Sequence, residues 1–246
     1  MAAVRKPVAR RVSLARALSK LGLASRAEAA RFILSGRVSM NGRVIRAPSA
    51  RCALEVDTIR LDGKKTTKPS PLYIMMNKPV GIVTTRSDEK GRPTVYHLLG
   101  DLQAWCFPVG RLDRDTSGLL LLTNDNRLGE QLTNPRSKVP KTYVVGLDRK
   151  LNKEDAARMR TGMVVGDERF LPAKVKMLEG KLVEIVLYEG KNRQIRRMCE
   201  ALGYTVTELI RVRIGNLFLG DMPPGQWRRL TKKEIELIKP QRGEKR

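Results

Sequence analysis

Residues 110–125 read GRLDRDTSGLLLLTND. Two carboxylates, Asp113 and Asp115, stand between Arg111 and Arg114, and the segment then becomes apolar over residues 119–122. A carboxylate at the mouth of a buried strand, flanked by cations, stays ionised and can act as a nucleophile against a polyanion. The same residues also suit a polar turn ahead of a core strand, and spacing alone favours neither carboxylate.

A second constellation lies in EGKNRQIRRMC, residues 189–199. Ile195, Met198, Cys199 and Leu202 recur at i, i+3, i+4 and i+7, which predicts a helix with one face in the core, closed at Gly203. Arg193, Arg196 and Arg197 then share the opposite side, at an end where cations oppose the helix dipole and call for an anion. The planar guanidinium fork suits phosphate and carboxylate alike. One reading is a solvated surface. The other is a phosphate grip, with one arginine turned inward to a catalytic carboxylate. Tyr143, in KTYVV, faces opposite to Thr142 and Val144 in a strand. It is either a core tyrosine or an aromatic face on which an extruded base could stack.

Composition narrows the chemistry. The chain has 246 residues and a formal net charge of +24, from 49 Lys and Arg against 25 Asp and Glu. That excess argues for a polyanionic partner, because each neutralised phosphate releases counterions. His97 is the single histidine, so a multi-histidine metal site is excluded. Cys52, Cys106 and Cys199 form no CxxC pair, which fits a reducing compartment. Neither GxxxxGK[ST] nor GxGxxG occurs. Carboxylate, hydroxyl and guanidinium chemistry is expected, with no metal and no cofactor. No apolar run approaches the length of a membrane span, and no membrane partner is expected.

Two units must position these residues. Leu14, Leu18 and Leu21 predict a helix stopped by Gly22, and Ser25–Arg26–Ala27–Glu28 reads as a capping box opening a second helix to about Ser35. Asn41–Gly42 between apolar residues signals a hairpin, with a further strand near residues 57–61. Residues 1–70 hold 16 Lys and Arg against 4 Asp and Glu, about half of the net charge. Arg26, Arg31, Arg37 and Arg43 punctuate this helix-helix-hairpin, which resembles the S4-like RNA-binding domain over residues 11–63. Residues 64–71, with two prolines, read as an extended linker. From Leu72 to residue 236, short strands mix with a few helices. This predicts an α+β fold with a mixed, largely antiparallel sheet and flanking helices. Residues 237–246 are expected to form a frayed basic tail.

The blocks MMNKPVGIVTT, PVGRLDRDTSGLLLLTND, KTYVV, EGKNRQIRRMCEALGYTV and LIRVRIGNLFLGDMPPGQWRRLT together resemble the bacterial ribosomal RNA pseudouridine synthases that carry an N-terminal S4-like domain. The resemblance spans about residues 11–236. It implies isomerisation of uridine to pseudouridine in ribosomal RNA, free or in an assembly intermediate, by a cytoplasmic monomer. It implies Asp113 as the nucleophile, Tyr143 as the stacking tyrosine and Arg196 as the basic residue that holds Asp113 and keeps it ionised. Arg111 is implied in RNA contact and base extrusion. The same blocks put Lys78, Lys191, Arg193, Gln194 and Arg197 at the RNA. A non-enzymatic RNA-binding or assembly factor would explain the charge equally well, but it has no use for Asp113 in so basic a groove.

Overall fold

The computed structural model describes residues 11–67, 69–100, 102 and 104–239. They divide into two compact units, one of the described residues up to 71 with 104–106, the other of those from 72 to 102 with 107–239.

In the first unit, helices Leu14–Lys20 and Arg26–Leu34 are joined by a tight turn. The Ser25 capping box forms as expected, with Glu28 N donating to Ser25 Oγ at 3.1 Å and Ser25 N to Glu28 Oε2 at 3.0 Å. Strands Val38–Met40 and Arg43–Val44 make the hairpin, and Asn41 and Gly42 both take positive φ, as a type I′ turn requires. Leu14, Leu18, Ile33, Val38 and Ile59 close a small core. The linker expected from residue 64 begins later, because Lys64–Lys65 pair with strand Ile59–Leu61 and extend the small sheet.

The second unit is built on a nine-stranded sheet, α+β as expected. Its central path runs Lys174–Met177, Leu182–Leu187, Lys141–Leu147, Val206–Ile214, Ser117–Thr123, Tyr73–Lys78, Trp227–Arg229. The pairings are antiparallel except one, where Val206–Ile214 runs parallel to Ser117–Thr123. That contact joins two halves, each with its own core. Val145, Phe170, Ile185 and Met198 belong to one core, and Leu119, Leu121, Leu128 and Ile214 to the other. Helix Gln194–Ala201 packs Ile195, Met198 and Cys199 into the first. The tail expected to fray at residue 237 does not. Helix Lys232–Ile238 buries Ile238 in the second core, and Asn216 N donates to Leu237 O at 3.0 Å. Residues 240–246 of that tail lie outside the described residues.

Candidate active site

The cavity opens over the junction of the two halves. It measures about 470 Å³, and Arg111, Asp113, Lys141, Tyr143, Arg193 and Arg211 line it with apolar Leu112, Leu187, Leu209 and Ile214.

Asp113 sits on a loop between strands Phe107–Pro108 and Ser117–Thr123. The loop is tied down at successive backbone atoms. Thr84 Oγ1 donates to Leu112 O at 2.8 Å and accepts from Leu112 N at 3.3 Å. Thr116 N closes a turn onto Asp113 O at 3.1 Å, and Gly81 N donates to Arg114 O at 2.7 Å. Gly118 ends the loop at φ +102°, and a Cβ there would stand 2.3 Å from Arg211 O. Glycine is therefore required for the parallel strands to meet. Tyr143 and Arg211 are direct partners across antiparallel strands and share a face.

The expected pairing of Arg196 with Asp113 is not what the structure has. Arg196 Nε lies 3.2 Å from Asp115 Oδ2, its Nη2 donates to Asp115 O at 2.8 Å, and its Nη1 donates to Val206 O at 3.2 Å. Arg193 Nη1 also pairs with Asp115 Oδ2, at 3.2 Å. The reason is register along the loop. The helix bearing Arg196 meets the loop two residues past Asp113, so the fork grips the carbonyl and carboxylate of Asp115. The Asp113 carboxylate, half-buried at the cavity wall, has no ion-pair partner among the described residues.

Several residues expected at the RNA are engaged elsewhere. Lys78 is fully buried, and its Nζ donates to Pro79 O at 2.9 Å and Ile82 O at 2.8 Å, so it holds a turn rather than meeting solvent. Burial pushes Lys78 down to about 8, against the pull of Asp115 and Asp113. Gln194 is buried and donates to Glu189 Oε1 at 2.8 Å. Arg197 pairs with Glu168, and Lys191 lies 3.3 Å from the same carboxylate, so the cations at this helix end already have an anion in the hairpin Met163–Phe170. Arg37 forms a bidentate pair with Asp62 at 2.8 and 2.6 Å and covers the Phe32 ring. Arg111 and Arg193 are exposed at the cavity, and Arg26, Arg31 and Arg43 are exposed on the first unit.

Two cavity residues escaped the sequence reading. Arg211 and Lys141 stand beside Tyr143. Burial and the like charge of Arg211 push Lys141 down to about 8. Arg211 was visible as a cation inside the alternating stretch LIRVRIG, and Lys141 as the residue two before Tyr143, on the same strand face. Among the described residues no group of acidic, histidine or cysteine side chains is arranged to hold a metal, and no helix is long and apolar enough to cross a membrane.

Comparison with known proteins places the chain in a family. The sequence profile of the RNA pseudouridylate synthases matches residues 72–201, and that of the S4 domain matches residues 12–56. An RNA pseudouridine synthase of Aquifex aeolicus is 39% identical over 224 residues, 89% of this chain and 90% of its own. The ribosomal large subunit pseudouridine synthase B of Bacillus subtilis is 33% identical, covering 92% of this chain and 95% of its own. A crystal structure of a pseudouridylate synthase superposes with a TM-score of 0.69 at 32% identity, over 92% of this chain and 99% of that one. With an S4 domain ahead of the domain that matches the synthase profile, and with relatives alike over nearly their whole length, the chain belongs to the RNA pseudouridine synthases, enzymes that isomerise uridine to pseudouridine in RNA.

Proposed function

We propose that this enzyme acts on a uridine of ribosomal RNA, with Asp113 as its nucleophile. The observation that carries the assignment is the contrast between neighbours. Asp115 is held by Arg193 and Arg196, whereas Asp113 faces the cavity with its carboxylate unpaired. Asp115 is occupied by its two arginines, whereas Asp113 lines the cavity and can reach a nucleotide placed there. Tyr143 offers the face on which the extruded uracil stacks. The N1–C1′ bond breaks, the base turns while held, a C5–C1′ bond forms, C5 loses its proton and N1 gains one, and the bond to Asp113, whether made at ribose or at base, is broken before the product leaves. Apolar walls at Leu112, Leu187 and Leu209 keep water from competing with that re-addition. Arg196 acts as a positioning residue through Asp115. Arg111 and Arg193 meet the RNA at the cavity, and Arg26, Arg31 and Arg43 extend the contact on the S4 unit. The ribosomal substrate is supported by the Bacillus relative and by the basic first unit. Three buried free cysteines fit a reducing, cytoplasmic setting, and either free ribosomal RNA or an assembly intermediate would fit the charge.

The test compares Asp113→Asn with Asp115→Asn in single-turnover assays on ribosomal RNA from a strain lacking the gene. Asp113→Asn should lose on the order of 10⁴-fold or more in rate, as nucleophile removal does elsewhere, while binding RNA normally. Asp115→Asn should retain measurable turnover. Retained turnover in Asp113→Asn would sink the assignment.

A further inference from the structure

Two cations in the cavity hold donor groups that are open among the described residues. Arg211 is 4% exposed, and its Nε donates to Leu119 O at 2.7 Å. Its Nη2 is buried with no hydrogen-bond partner among the described residues. An open buried donor is costly, and each one calls for a partner such as a ligand atom or a water. Lys141, half-buried on the same strand face as Tyr143, also lacks a hydrogen bond or ion pair among the described residues. Burial, and to a lesser degree the charge of nearby Arg211, hold Lys141 well below the ordinary lysine range. An oxygen ligand would relieve both.

We propose that Lys141 and Arg211 form a donor-only subsite beside Tyr143 that binds the two carbonyl oxygens of the target uracil and so separates uridine from cytidine. The proposal rests on Tyr143 being the stacking face. Arg211 is the cross-strand partner of Tyr143, and Lys141 lies two residues before it, so donors flank the ring on its own side of the sheet. Uracil carries two carbonyl oxygens, one on each side of N3. Cytosine replaces one with an amine. Lysine and arginine side chains offer no acceptor in their charged forms, so that amine would meet a cation and stay unpaired. A phosphate is the poorer match. Leu209 and Ile214 make this part of the cavity apolar, and exposed Arg111 and Arg193 are better placed for the backbone.

The test uses an RNA hairpin carrying the target uridine, located by pseudouridine mapping, and the same hairpin with cytidine there. Binding is measured in the Asp113→Asn background so that the uridine survives. That parent should bind the uridine hairpin about 10- to 100-fold more tightly than the cytidine one. Adding Lys141→Met or Arg211→Met should bring the ratio close to 1 by weakening only the uridine hairpin, and Lys141→Arg should preserve it. An unchanged ratio overturns the proposal. So does an equal loss on both hairpins, which would mark a phosphate contact. Thermal melting reports whether Arg211→Met folds, and if it does not, Lys141→Met decides alone. Wild-type enzyme must isomerise the uridine hairpin. Failure there refutes the reading of the whole site, whereas turnover with an unchanged ratio refutes the subsite only.

Discussion

Lys78 carries a charge into the interior and spends it on two carbonyls of the next turn, Pro79 O and Ile82 O. A neutral amine still has two N–H groups for those two acceptors, so the turn survives deprotonation. Burial holds Lys78 near 8 rather than 10.5, with Asp115 and Asp113 opposing the shift and Arg211 adding to it. The folded protein therefore sheds this proton before the unfolded chain does. Between pH 8 and 10.5 the unfolded chain binds more protons, so stability from this group rises with pH across that window. The burial penalty is felt in full below pH 8. Urea unfolding followed from pH 7 to pH 10 should show the wild type gaining stability relative to Lys78→Met as pH rises. Parallel curves for the two proteins would refute it. At this scale the sequence was only partly legible. The choice between Asp113 and Asp115 came from family resemblance, because both are flanked by arginines, and what distinguishes them is an arginine 81 residues away. The inward turn of Lys78 was invisible for a similar reason. Only the three-dimensional path of residues 79–82 brings two carbonyls beneath its Nζ.

At the level of elements, the site depends on the parallel contact between Ser117–Thr123 and Val206–Ile214. It carries the Asp113 loop on one strand and Arg211 on the other. Gly118 alone permits that approach, through positive φ and the absent side chain. In Gly118→Ala the methyl group would strike the Arg211 backbone at 2.3 and 2.7 Å, and neither strand can withdraw without opening a core. A cost of about 3 kcal/mol or more is expected from clash and strain together. Chemical denaturation should show it, with turnover falling further than stability does, because Asp113 and Arg211 move apart. A variant of wild-type stability would show that the sheet yields more easily than this packing implies. Helices and hairpins with local signals were readable from the sequence: the Ser25 capping box, the Asn41–Gly42 turn and the apolar stripe of Gln194–Ala201. Strands Lys174–Met177 and Trp227–Arg229 were not. Each is short and interleaved with charge, and its place is set by a distant neighbour, Leu182–Leu187 or Tyr73–Lys78. An edge strand gains from such charges, which discourage pairing with other chains, and the same charges mask its pattern.

For the whole molecule, net charge predicts RNA affinity and its salt dependence, but only those cations that are free to meet phosphate contribute to the slope. The first unit holds both kinds. Arg31 is exposed on helix Arg26–Leu34 and forms no ion pair among the described residues. Arg37 is already neutralised by Asp62, whose carboxyl it holds below the ordinary range. Removing the Arg37–Asp62 pair together leaves net charge unchanged, so Arg37→Met with Asp62→Asn should leave the slope of log affinity against log salt as it was. Arg31→Met should reduce the magnitude of that slope by about 0.7–0.9, the release expected from one phosphate contact. Filter binding of ribosomal RNA across a salt series separates the two. If the double variant lost as much slope as Arg31→Met, Arg37 would be exchanging Asp62 for phosphate on binding, and the ion pair would be a resting position for an RNA-contacting arginine.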